Sequence, residues 1–197
     1  MNKDFYVFRH GQTDKNLKKI WQGSKIDSEL NSTGKTQAAE LKERLLPLNI
    51  EVVYSSPLTR ATQTAILAQY AGFPIYIRCD LRECNFGDAE GRNFDEVQKL
   101  YPEVTHAMFN PTPDKWHMKF PGKGSESKKE VFERVKATLM DIAHRSSCKS
   151  IGISTHAAVM SSLLAGLGHS HVPVENCCVA HIKYDETTDT LIFMKML

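Results

Sequence analysis

The sequence has no long apolar run, no CxxC pair and no block of like charge. Nothing in its 197 residues approaches the ~20 apolar positions needed to cross a bilayer. The opening MNKDFYVFRHG is broken by charge too early to serve as a signal peptide. The five cysteines, Cys79, Cys84, Cys148, Cys177 and Cys178, are odd in number and share no zinc-ligand spacing with the histidines, so reduced and mostly buried thiols are expected. Lysine and arginine total 25 against 23 acidic residues, and the basic ones are scattered. That balance argues against a nucleic-acid or membrane-surface partner. Repeats and low-complexity tracts are also missing. The expectation is a soluble, cytoplasmic protein.

What is present is an alternation of strand-like and helix-like segments. The length suits one domain spanning 1–197, large enough to bury roughly 70% of the surface its unfolded chain exposes. DFYVF and IEVVYSS are short, β-branched and aromatic, and between them Ala38, Leu41, Leu45 and Leu48 fall at helical spacing, giving a βαβ unit. LTRATQTAILAQYAG reads as a second helix ended by Gly72, followed by the strand PIYIR. A third helix starts after Ser127, which forms a capping box with Glu130 and buries Val131, Val135, Leu139 and Ile142. KSIGIST is then a strand, AAVMSSLLAGLG a helix, and the tail two strands joined by a polar turn. This pattern predicts a three-layer α/β/α fold whose central sheet is mainly parallel with an antiparallel edge. The stretch from about 90 to 126 is aromatic, proline-rich and irregular, and is expected to be an inserted lid over the site.

In such a sheet ligands sit at the carboxyl ends of the strands. The first strand ends in Arg9 and His10, with Gly11 bending the backbone away; the second leads to Arg60; the third runs into Glu83; the fourth ends at His156. Two guanidiniums and the helix N-termini near Arg60 and after His156 suit a tetrahedral anion. An unprotonated imidazole can attack phosphorus in line, a carboxylic acid can protonate the departing oxygen, and a second histidine held protonated by the anion can balance the growing charge. Neither metal nor other cofactor is required. The competing reading, a metal centre of His10, His156 and Glu83, conflicts with two arginines that would repel a divalent cation.

RHGQTDKN, WQG at Trp21, LNSTGKTQA, SSPLTRATQTA, LRECNFGDAEGR, SES and STHAAV, in that order, resemble the histidine phosphatase superfamily, which includes the cofactor-dependent phosphoglycerate mutases. The resemblance implies a phosphoglycerate mutase-like fold, His10 as phospho-accepting nucleophile, Arg9, Arg60 and His156 as phosphate pocket, and Glu83 as proton donor. It adds Asn16, Gln22, Gly23 and the backbone at Ala157 as substrate contacts. The sequence departs from the family's habit at Gln12, Ile20, Glu29, Ala89, Ala157 and Ala158, and the segment from Gly23 to Leu30 is one residue longer.

The expected function is hydrolysis of a small phosphorylated metabolite through phosphohistidine. Phosphoglycerate mutase-type transfer and a non-catalytic phosphate-binding module are the alternatives. Lys25, Trp116, Lys119, Phe120 and Lys123 are candidates to line the approach, and His106 and His117 to touch substrate; the other histidines, His171 among them, are assigned no chemistry. Oligomeric state is left open.

Overall fold

The computed structural model describes residues 1–70 and 72–197. In chain order the elements are β1 (Lys3–Arg9), α1 (Asp14–Leu17), α2 (Ser32–Leu45), β2 (Val52–Ser55), α3 (Thr59–Leu67), β3 (Ile75–Ile77), α4 (Phe94–Leu100), α5 (Pro102–Phe109), α6 (Lys128–Arg145), β4 (Ser150–Thr155), α7 (Ala157–Gly166), β5 (Val179–Asp185) and β6 (Thr190–Met196). They build a six-stranded sheet in the order β3-β2-β4-β1-β5-β6. Strands β1 to β4 run parallel, while β5 and β6 form the antiparallel side. The βαβ unit is present, but β4 is inserted between its two strands, so Arg9 pairs with Thr155 and Ser55 with Ser154.

Side chains alternate across the sheet and sort into two apolar layers. Phe5, Val7, Val52, Ile151 and Ile153 pack with Val131, Val135, Leu139 and Leu163 under α6 and α7. Phe8, Val53 and Val179 pack with Leu41, Leu45 and Ala65 under α2 and α3. The capping box at Ser127 forms as expected: its hydroxyl accepts from Glu130 N, and Glu130 Oε2 accepts from Ser127 N at 2.7 Å. Among the described residues no helix is long and apolar enough to cross a membrane.

Three expectations need correction. The helix after Pro57 stops at Leu67 rather than at Gly72, because its apolar face is already spent: Ile66 and Leu67 are exposed, and the buried Ala68 carries the C-cap. The stretch 90–126 is not irregular throughout. It holds α4 and α5, separated by Tyr101 and restarted by Pro102 at its first position, where the missing N–H is not needed. Glu83 does not end a strand, since β3 stops at Ile77 and a short 3₁₀ turn over Cys79–Leu81 carries the chain to it.

Gly11 serves close approach rather than a left-handed bend, as its φ is not positive. A Cβ there would collide with the Gly34 carbonyl oxygen, and one at Gly34 with the Gln12 carbonyl oxygen. The loop after β1 is thus pressed backbone to backbone against the start of α2. Replacing Gly34 with alanine should therefore cost about 1–3 kcal/mol, seen as a lower urea midpoint with an unchanged m-value.

Candidate active site

The five groups named from the strand ends do gather. His10, Arg60, Glu83 and His156 are buried, and the rings of His10 and His156 lie 5.3 Å apart, centroid to centroid. Arg9 and His10 project from the end of β1, where His10 N donates to Thr155 O at 3.0 Å. The His10 Nδ1 lies 2.7 Å from the Gly11 carbonyl, an acceptor only, so the ring proton sits on Nδ1 and Nε2 keeps its lone pair. Arg60, on the first turn of α3, reaches back to the loop after Trp21, donating to Ile26 O at 2.9 Å and Gly23 O at 3.3 Å. Glu83 accepts from Cys84 N at 2.8 Å and from Ala158 N, in the first turn of α7, at 3.3 Å. His156 Nε2 is 2.7 Å from Ser56 Oγ.

Several nitrogens here remain unsatisfied. Among the described residues Arg9 Nε, Arg60 Nε, His156 Nδ1 and Trp21 Nε1 are buried and have no hydrogen-bond partner. Orphaned buried donors are rare in folded proteins, because each forfeits its hydration. Three of these four belong to the two arginines and the second histidine.

The electrostatics separate the acid from the bases. Burial, followed by the charges of Arg60 and Arg9, holds His10 well below the usual imidazole range. The same causes, in the order burial and then Arg60, lower His156. Burial raises Glu83, against the pull of the Cys84 hydrogen bond and of Arg60.

The family model of the histidine phosphatase superfamily (branch 1) matches residues 5–196. The chain belongs to that superfamily. It is 31% identical over 186 residues to the "Uncharacterized phosphatase PhoE" of Bacillus subtilis (strain 168), which covers 91% of this chain and 88% of that protein. It is 32% identical over 189 residues to the "Probable phosphoglycerate mutase GpmB" of Salmonella choleraesuis (strain SC-B67), covering 92% and 85%. A solved phosphoglycerate mutase of Bacillus anthracis superposes with a TM-score of 0.86 at 23% identity, over 98% of this chain and 92% of the other. The fold is thus phosphoglycerate mutase-like.

A cavity of about 890 Å³ in this histidine phosphatase is lined by Arg9, His10, Asn16, Gln22, Glu83 and Ala157, while Arg60, His156 and Gly23 are not on its wall. Asn16 and Gln22 share one hydroxyl: Thr13 Oγ1 accepts from Asn16 N at 3.2 Å and from Gln22 Nε2 at 2.7 Å. The helix start near Arg60 does not face the cavity. Asp27 occupies it, accepting from Thr59 N at 2.8 Å, so of the two expected helix starts α7 is the one that reaches the cavity wall.

The expected approach residues are elsewhere. Lys25 donates to Lys123 O and Lys119 to Glu130; Trp116 stacks edge-on with Phe132, and Phe120 is buried against Trp21 and Phe86. His106 and His117 are absent from the wall, whereas His171 is on it. The sequence reading also missed Phe94, Met108 and Phe109 from α4 and α5, Lys128, and the segment before β5. In that segment the Val174 carbonyl accepts from Arg9 Nη1 at 2.9 Å, and Asn176 Nδ2 donates to His10 O at 2.9 Å. The antiparallel pairing of β5 with β1 was the one available signal, since it brings the residues before β5 to the end of β1.

Both histidines have folded-state pKa values below the unfolded ~6.5, so below that pH the unfolded chain binds more protons and stability falls. Each imidazole should contribute a loss of up to about 1.4 kcal/mol per pH unit. Urea unfolding followed by tryptophan fluorescence at pH 7.5, 6 and 5 should show this decline, and His156→Gln should flatten it.

Proposed function

We propose that this protein hydrolyses the phosphomonoester of a small phosphorylated metabolite through a phosphohistidine at His10. The observation that carries the reading is the set of orphaned buried nitrogens, Arg9 Nε, Arg60 Nε and His156 Nδ1, beside an imidazole whose Nε2 lone pair is free. A tetrahedral dianion would pair with both guanidinium N–H groups and with a protonated His156, and present its phosphorus to the His10 nitrogen.

In the first step His10 Nε2 forms the N–P bond as the ester P–O bond breaks, and the Glu83 carboxylic acid delivers its proton to the departing alkoxide. In the second, the Glu83 carboxylate takes a proton from water, the water oxygen bonds to phosphorus, and the N–P bond breaks to release inorganic phosphate. Raised by burial, Glu83 suits the acid role; lowered by burial and two arginines, His10 is unprotonated and suits attack. The bound dianion would draw His156 toward its protonated form, against the lowering caused by burial. Asn16, Gln22 and the α7 N-terminus at Ala157 would complete the anion site, with Gly23 holding Arg60 through its carbonyl. Residues 90–126 serve as the cover of a single-domain enzyme. Phosphatase-named relatives such as PhoE support hydrolysis.

His10→Ala should lower phosphatase activity by more than about 10³-fold, and Glu83→Gln by about 10²–10⁴-fold with natural substrates. Brief exposure to labelled substrate followed by a quench should leave an acid-labile, base-stable label on His10; retention of full activity by His10→Ala would overturn the reading. Supplying 3-phosphoglycerate with a trace of 2,3-bisphosphoglycerate separates hydrolysis from transfer. Slow release of phosphate is expected, and rapid isomerisation would make the protein a mutase.

A further inference from the structure

Lys128 is the first residue of α6, and the capping box at Ser127 fixes its position. Its side chain is 4% exposed, yet it belongs to the wall of the cavity, together with Glu83, Ala157, Ala158 and Ser161. Among the described residues the ammonium makes one hydrogen bond, to Ser161 Oγ at 2.7 Å, and pairs with no carboxylate. The two oxygens of nearby Glu83 are directed instead to the N–H groups of Cys84 and Ala158.

A buried ammonium carries three donors and loses most of its hydration, so a single neutral partner leaves it poorly compensated. The apolar stem explains why part of Lys128 is buried; it does not explain a charged end with two donors left over. Lys3 provides the internal contrast. It is equally buried, but its ammonium caps two carbonyls, of Ser146 and Cys148, and it does not line this cavity. Burial lowers the Lys128 pKa to about 8, which still leaves it mostly protonated at neutral pH, and a bound anion would raise it again.

From this placement we infer that Lys128, steadied by Ser161, binds a carboxylate on the leaving-group half of the substrate, so that the preferred substrates are phosphomonoesters of carboxylate-bearing alcohols. The inference rests on the proposed reaction in one respect: Glu83 as proton donor marks its own wall as the side where the leaving oxygen lies. One cation and one hydroxyl match a monoanion. A second phosphate would call for a donor set like that around His10, where two guanidiniums and a histidine converge. The other basic side chains on the wall outside that cup, Lys19 and His171, are exposed. On the other side, Trp21, Phe94 and Phe109 offer apolar surface for the carbon skeleton.

The test compares 3-phosphoglycerate with glycerol 3-phosphate, in which a hydroxymethyl group replaces the carboxylate. Dissociation constants measured by calorimetry in the His10→Ala background remove any dependence on turnover, and kcat/KM is measured in parallel on the otherwise unaltered enzyme. The carboxylate compound should be favoured at least ~10-fold, the range of one charge-assisted hydrogen bond. Lys128→Met should bring that ratio close to one, and Lys128→Arg should restore part of it. If Lys128→Met does not fold, Ser161→Ala should lower the ratio severalfold. Equal binding of both compounds, or a ratio unmoved by these substitutions, overturns the assignment of Lys128 even if both are hydrolysed. Discrimination in binding with no hydrolysis of either compound would instead overturn the hydrolase reading and leave Lys128 in place.

Discussion

The guanidinium of Arg60 is completely buried, and the arrangement around the site follows from the need to keep it there. An isolated charge in the interior costs several kcal/mol after relaxation, and here the compensation comes from peptide carbonyls rather than a tight ion pair. Gly23 and Ile26 turn their oxygens to it, while Asp27 stands 3.9 Å away at the protein surface. Asp27 is itself committed to the start of α3 through Thr59. One segment therefore holds the cation, caps the helix that carries it and fixes the backbone leading out of Trp21. The Gly11–Gly34 contact works on the same loop from the other side, since Asn31 N donates to Gln12 O just before α2 begins.

A charge so placed also sets the protonation states of its neighbours. Its field adds to burial in lowering both imidazoles, and works against burial at the carboxyl group of Glu83. Burial alone would push an acid up and a base down, and in both cases it is the larger influence. The outcome is a neutral imidazole with its proton pinned on Nδ1 beside a carboxyl group biased toward its acid form. Each shift runs toward the starting state that the proposed transfer needs, and burial at the sheet edge is the larger cause of both. An exposed histidine and glutamate in the same places would be largely in the opposite states of readiness, the glutamate ionised and the imidazole partly charged.

How much of this could be read beforehand depended on whether the information was local. Strand ends carry it locally: Arg9–His10 and His156 follow runs of β-branched and aromatic residues, so their place at one edge followed from the parallel sheet alone. The capping box at Ser127 is equally local, four residues with a fixed hydrogen-bond pattern. Lys128 was overlooked for the complementary reason. A lysine opening a helix normally points to water, and only the packing of α6 on α7 puts Ser161 beside it. The segment containing Val174 and Asn176 was missed because it has no periodicity. Its function comes from the return of β5 alongside β1, a pairing made across most of the chain's length. Among the aromatics, composition signalled a cover but not its facing: Phe94 and Phe109 stack on Trp21 at the cavity, whereas Trp116 lies over Phe132 on α6.

That aromatic cluster links stability to access. Trp21 contacts Phe86, Phe94, Phe109 and Phe120, so α4 and α5 are held to the body of the protein through a residue that immediately precedes Gln22 and Gly23. Offset and edge-on aromatic contacts of this kind contribute about 0.5–1.5 kcal/mol each beyond their buried area. Backbone bonds reinforce the attachment, with Trp21 N donating to Arg92 O and Phe94 N to Lys19 O. Ser170, His171 and Asn176 add polar groups to the cavity wall, and Asn176 is fixed there by its bond to the His10 carbonyl. The residues that fasten α4 and α5 to the body of the protein are therefore also those that give the cavity its apolar wall, so loss of Trp21 would loosen the fold and strip that wall together.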